Sequence, residues 1–290
     1  MKKWTVIICL IVCPLLSWGQ DFVYPVPPDT IYGRQDRIIY MTEHFWTERA
    51  IADTTNFQGP KLLLDYLYLL KQTDEQQECV QSFVSLACKQ ENTFGLILYW
   101  LDQILYDSSS PHYNENLYST LMKAVINSDA DSVMKLIPRQ RMEIISKNQV
   151  GNQANDFSFI NRNGYTTSLY KIDAPLLLLV FNNPDCSLCH QTEKSMAQNE
   201  LLQSLLIIGR LKLLAVTPDA DYKDWIEHAY PSNWMVGYDR DKVIYSQRLY
   251  DIQRLPCLYL LDKDKRVLMK EGDYDRLCKY LSENGSLFEE

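Results

Sequence analysis

Leu177-Leu178-Leu179-Val180-Phe181-Asn182-Asn183-Pro184-Asp185-Cys186-Ser187-Leu188-Cys189 decides how the C-terminal half of this chain folds. The apolar run from Ala174 to Phe181 has the length of one strand and no polar face, as a central strand buried on both sides requires. A polar break with a proline follows, and Cys186 to Gly209 then reads as helical. The first cysteine therefore falls at a helix N-terminus, where unpaired backbone N–H groups and the macrodipole favour thiolate over thiol. The second lies one helical turn on and can attack a mixed disulfide formed by the first. Cys186 is the expected nucleophile and Cys189 the resolving residue.

Working outward from this stretch, strands and helices alternate. Phe157 to Ile160 and Tyr165 to Leu169 read as a hairpin around Asn163-Gly164. Leu211 to Thr217 is a second buried strand, Tyr222 to Ala229 a helix, Met235 to Tyr238 a short strand and Lys242 to Tyr250 a helix. Cys257 to Leu261 and Arg266 to Lys270 read as a strand pair, and Asp273 to Ser282 as a closing helix. Upstream of Gly151 the pattern is different. Six segments between Ile38 and Ile145 repeat apolar residues at three and four spacing, with turn residues at Gln58-Gly59-Pro60, Gln72-Thr73-Asp74 and Asp107 to Pro111. The expected fold class is α+β with two domains: an all-α domain of five or six helices over 20–148, then an α/β domain over 150–290. The many tyrosines of the helical part read as core packing with hydroxyls reaching polar partners.

The N-terminus carries Lys2 and Lys3, an apolar run from Trp4 to Leu16, and Ser17-Trp18-Gly19. That order reads as a secretory signal peptide over 1–19, and the run is short for a membrane span of roughly 20 residues. Lipid attachment at Cys13 or Cys9 is the alternative, weakened by Val12 where such a site has a small residue. Cleavage removes two lysines and no acid, moving the formal charge from −8 to −10 and arguing against nucleic acid as a partner. An oxidising compartment permits disulfides. Even so, Cys79 and Cys88, nine residues apart on one helix, fall on opposite faces at about 100° per residue, and are expected to be free.

Two cysteines at this spacing also serve metals and haem. Zinc needs four ligands, and no second Cys-x-x-Cys or histidine pair supplies them, so no metal and no cofactor are expected. Cys186-x-x-Cys189-His190 is in addition the c-type haem attachment pattern, for which Met235 is a candidate second axial ligand. A motif that directly follows a buried strand fits the small helical domains of such proteins poorly. His190 is then an exposed first-turn residue that tunes Cys186.

Residues 150–285 resemble the TlpA-like branch of the thioredoxin superfamily, which comprises exported, membrane-tethered or periplasmic thiol-disulfide proteins. Gly151 to Phe157 with Gly164 and Leu169 resembles its opening hairpin, and Asn183 to Cys189 its active-site loop. Tyr250-Asp251-Ile252-Gln253-Arg254-Leu255-Pro256-Cys257-Leu258-Tyr259-Leu260-Leu261-Asp262-Lys263-Asp264 resembles its later loop, strand and turn. The helical part resembles a domain of unknown function found ahead of such domains. The resemblance implies a thiol-disulfide oxidoreductase that exchanges disulfides with exported proteins and with a membrane or periplasmic redox partner, reduction being the favoured direction. It implies that Pro256 is a cis-proline facing the dithiol and that Leu255, commonly threonine in relatives, lines an apolar substrate groove.

This sequence departs from that pattern at three places. Val180 stands where a buried acid often lies beneath the dithiol, Asp185 replaces the usual tryptophan before the first cysteine, and Cys257 directly follows the proline. Asp185 is expected to raise the Cys186 pKa, and Cys257 to be a buried strand residue rather than a third redox thiol. The competing class of function is a cell-envelope binding module, with partner recognition in the helical domain and an auxiliary dithiol.

Overall fold

The computed structural model describes residues 22–53 and 59–285; the proposed signal segment 1–19 lies outside them. Seven α-helices precede the sheet among the described residues: α1 (Arg34–Glu43), α2 (Glu48–Asp53), α3 (Gly59–Leu70), α4 (Gln76–Ala87), α5 (Glu91–Leu101), α6 (Glu115–Asn127) and α7 (Leu136–Ile145). The sequence suggests five or six. The additional one is α2, whose six residues are too few to display a 3.6-residue period. The Gly59-Pro60 break proves to be the start of α3, because a proline in the first turn of a helix surrenders an N–H that has no intrahelical acceptor. Helix α5 runs on into a π-helical turn, Asp102–Tyr106.

These helices bury one core of their own. α6 contributes Leu117, Leu121 and Val125, a stripe at four-residue spacing, and Asn114 caps it by accepting from the Leu117 N–H at 2.9 Å. Phe45, Trp46, Tyr66 and Phe83 pack together in this core, with Trp46 edge to face on both Phe45 and Tyr66 and the other pairs tilted. Buried tyrosines send their hydroxyls to polar partners, Tyr66 to the Cys79 carbonyl and Tyr118 to Asp102.

The second half is a seven-stranded mixed sheet in the order β2-β1-β5-β4-β3-β6-β7. Its strands are β1 (Ser158–Asn161), β2 (Thr166–Ser168), β3 (Leu176–Phe181), β4 (Leu211–Thr217), β5 (Met235–Tyr238), β6 (Cys257–Asp262) and β7 (Val267–Gly272). Every residue of β3 is buried, as a continuous apolar strand at the sheet centre must be. β3 runs parallel to β4 and antiparallel to β6, and the register sets Phe181 opposite Cys257. One face packs on Met196, Leu202, Leu205, Leu277 and Leu281 of α8 (Ser187–Gln198), α9 (Glu200–Ile207) and α12 (Tyr274–Glu283). Phe157, Tyr250 and Ile244 cover the other, Ile244 from the short α11 (Val243–Ser246). The remaining helix is α10 (Tyr222–Glu227).

Two expectations are corrected here. The helical run from Cys186 to Gly209 is two helices, because Asn199 is extended and its side chain caps α9 through the Leu202 N–H at 2.9 Å. The helix expected over Lys242 to Tyr250 is only four residues long, since Arg248 adopts a positive φ of 48°.

The halves join through polar contacts that gather on the segment leading to Pro256. Tyr106 donates to Asp251 at 2.6 Å, the Ser108 N–H donates to Gln253 and Arg254 donates to the Ser108 carbonyl. Lys147 donates to the Gln247 and Arg248 carbonyls and Asn148 to the Leu249 carbonyl. A bulge in β7 sets Lys270 and Glu271 against Tyr259 alone and turns both side chains into this junction. Lys270 donates to Glu115 at 2.8 Å and to the Ile145 carbonyl at 2.9 Å.

Glu271 lies 3.3 Å from Lys270 and accepts from the Tyr259 hydroxyl, while its Oε2 finds no partner among the described residues. Its carboxyl is pushed up to about 8, first by burial and then by the neighbouring Asp251 and Glu115. Lys270 works in the opposite direction, but its cation is already shared with Glu115. The native protein thus keeps a proton that the unfolded chain releases above about 4.5, so stability falls as pH rises from about 4.5 to about 8. Glu271→Gln retains an acceptor for Tyr259 and removes the titration. The variant is expected to be more stable than wild type by about 1 kcal/mol or more at pH 8, and nearly equal to it at pH 4, in denaturant unfolding followed at both pH values.

Candidate active site

Cys186 is the N-cap of α8, held in extended backbone geometry with φ −90° and ψ 109°. The loop before it is tied down by Asn183, whose side chain accepts from the Asp185 N–H at 2.8 Å and donates to the Asp219 carbonyl at 2.8 Å. Cys186 and Cys189 form a disulfide with their Cα atoms 5.1 Å apart. The Cys189 N–H points at Cys186 Sγ at 3.1 Å, so the first sulfur occupies the position where a helix start offers its free donors. Cys186 is half-buried and Cys189 wholly buried, with the exposed Leu188 between them. A partner can therefore approach the first sulfur and not the second.

The Leu255–Pro256 bond is cis, and the Leu255 carbonyl oxygen lies 3.7 Å from Cys186 Sγ. The β3–β6 register produces this approach, since β3 ends five residues before Cys186 and β6 begins one residue after Pro256. Leu255 is half-buried against the core, and together with Leu188 it gives the sulfur apolar flanks.

Val180 is buried in the sheet face that α8 covers, so no acid stands at that position. Cys257 is buried, unpaired and 3.9 Å from the Asp251 carbonyl, and burial together with the Glu271 and Asp251 carboxyls pushes its thiol far up. Cys278 is also free but only half-buried, short of the core position expected for it. Cys79 and Cys88 are free as well, Cys79 pushed up to about 11 by burial and then by Glu43. His190 is exposed, with its Nε2 2.5 Å from the Pro184 carbonyl oxygen. Met235 packs on the sheet face away from α8, so it and His190 cannot ligate one iron.

Sequence reasoning missed a polar network beside the dithiol. Buried Glu193 accepts from Asn182 Nδ2 at 2.8 Å and lies 3.0 Å from His228 Nε2. Thr217 and Tyr230 hydroxyls both lie 3.3 Å from the Asn182 side-chain oxygen. Only Glu193, four residues after Cys189 on one helix face, carried any local signal. Between the halves lies a cavity of about 530 Å³, lined among others by Tyr113, Glu115, Arg254, Pro256, Cys257 and Glu271.

Comparison with known proteins places both halves. A domain of unknown function, DUF5106, matches residues 5–148. A crystal structure of a thioredoxin-like protein from Bacteroides caccae is 29% identical over 91% of this chain and 99% of that one, with a TM-score of 0.78. The C-terminal domain of an uncharacterized protein from Bacteroides fragilis is 32% identical over 47% of this chain and 99% of that one, with a TM-score of 0.46. No curated protein matches. The chain belongs to the thioredoxin-like proteins, with a helical domain of unknown function ahead of the half that carries the disulfide.

Proposed function

We propose that the protein is a thiol-disulfide oxidoreductase that reduces disulfides of exported proteins through Cys186 and Cys189. One observation carries this reading: a disulfide whose first sulfur is reachable at a helix N-terminus, under a cis-proline, while the second is buried. In the reduced protein the Cys186 thiolate attacks one sulfur of a partner disulfide. A mixed disulfide forms and the other partner sulfur leaves as a thiolate. Cys189, losing its proton, then attacks Cys186 Sγ, the partner's second thiolate departs, and two electrons have passed to the partner. A separate thiol reductant restores the dithiol. Oxidation of partners is the same sequence reversed, and the family resemblance favours reduction.

The signal-like segment 1–19 supports a periplasmic location, where both exported substrates and a membrane or periplasmic redox partner meet the chain. Among the described residues no helix is long and apolar enough to cross a membrane. Leu255 and Pro256 are the proposed substrate-binding residues, with their backbone groups beside Cys186 and an apolar side chain in the groove. The helical domain is proposed to select partners. The cavity that both halves line reaches Pro256, so a partner engaged at Cys186 lies near surface from each.

Cys186→Ser is expected to abolish disulfide exchange in an insulin-type reduction assay. Cys189→Ser is expected to leave the first attack intact and to accumulate a covalent complex with an exported protein, visible as a reducible band on gels. Capture by Cys186→Ser and none by Cys189→Ser would reverse the assigned roles. A chain cut to 150–290 should keep insulin reduction while losing most of its rate with the trapped natural partner. Equal rates would refute selection by the helical domain.

A further inference from the structure

Beside the dithiol, α8 carries a cluster of donors that disulfide exchange does not use. His190 and Glu193 stand three residues apart, the spacing that puts two side chains on one helix face. His228 reaches them from the C-cap of α10. A ligand atom from each of the three lies within 4.8 Å of the others. We propose that His190, Glu193 and His228 form a site for a divalent late first-row metal ion, zinc in the first instance, held by two imidazoles and one carboxylate with water completing the shell.

The donor set decides the class of ion. Calcium and magnesium take oxygen ligands, whereas two imidazoles and a carboxylate suit zinc and its neighbours. The carboxylate is already oriented. Asn182, itself buried and lying beside the Thr217 and Tyr230 hydroxyls, donates to Glu193 Oε1, which leaves Oε2 turned towards His228. Outer hydrogen bonds of this kind aim metal-binding carboxylates and sharpen affinity. Exposure rises from buried Glu193 through half-buried His228 to exposed His190, so the cluster opens to solvent on one side and an ion has a way in. Two atoms each about 2.1 Å from zinc stand no more than about 4.2 Å apart. The three donors already lie within 4.8 Å of one another, so at most a small inward turn of the exposed His190 ring is needed. A ring nitrogen that ligates the metal carries no proton, so His228 binds through Nε2 with its N–H on the other nitrogen. The site is independent of the thiols, because Cys189 is buried and both sulfurs are tied up in the disulfide.

Zinc titrated into the full chain with its disulfide intact, followed by calorimetry, should show one ion per chain. His190→Ala removes an exposed ring and leaves the fold in place, and it should weaken zinc at least tenfold. His228→Ala should do the same with an unchanged circular dichroism spectrum. Cobalt should give visible d–d bands with no sulfur-to-metal charge-transfer band. Failure of wild type to bind zinc stoichiometrically overturns the proposal, as does unchanged affinity in His190→Ala or a charge-transfer band assigning the ion to thiolates.

Discussion

The pairing of Phe181 with Cys257 across β3 and β6 is the constraint on which the site depends. A one-residue slip in either strand would exchange side chains between the two filled cores, and close-packed interiors do not accept Leu, Val and Phe in each other's places. The register is therefore held by the whole length of β3 rather than by any bond at the site. Once it is held, the chain leaving β3 and the chain entering β6 emerge side by side. Five residues beyond one end is Cys186 and one residue before the other is Pro256, so the sulfur and the cis peptide must meet. Their approach is a property of the sheet core, with no dedicated contact needed to create it.

Local chemistry was legible in the sequence and distant chemistry was not. The buried strand, the cysteine spacing and the helix start all lie within Leu177 to Cys189, and each announces itself through its own composition. The short α2 and the break at Asn199 escaped because one is shorter than the period that identifies helices and the other depends on a single side-chain cap. Buried acids escaped for a different reason. Asp251 meets Tyr106 across 145 positions, and Lys270 meets Glu115 across 155. Nothing local distinguishes these residues from the solvated charges around them. Glu271 is hidden further by the β7 bulge, which turns it inward at a place where strand alternation gives no guidance. In the site, Val180 correctly signalled that no acid stands beneath the dithiol on β3, but Glu193 and its partner His228, brought from separate helices, gave no joint signal.

The junction between the halves shows what the helical domain can influence. Its contacts are charged or hydrogen-bonded rather than apolar, and gathering Glu271, Glu115 and Asp251 around the single cation of Lys270 costs desolvation and carboxyl repulsion that Lys270 offsets only in good geometry. Such contacts are poor as general adhesive but exacting about position, because a small displacement leaves a buried charge without its partner. Their targets matter more than their number. Lys147, Asn148, Tyr106 and Ser108 engage residues 247 to 253, the irregular stretch after α11, whereas the sheet already carries separate apolar cores on both faces. The sheet thus holds itself together, and what the helical half holds is the loop that delivers Leu255 and Pro256 to Cys186. Any change that moved α7 or the turn at Ser108 would be transmitted first to that loop, and only through it to the disulfide.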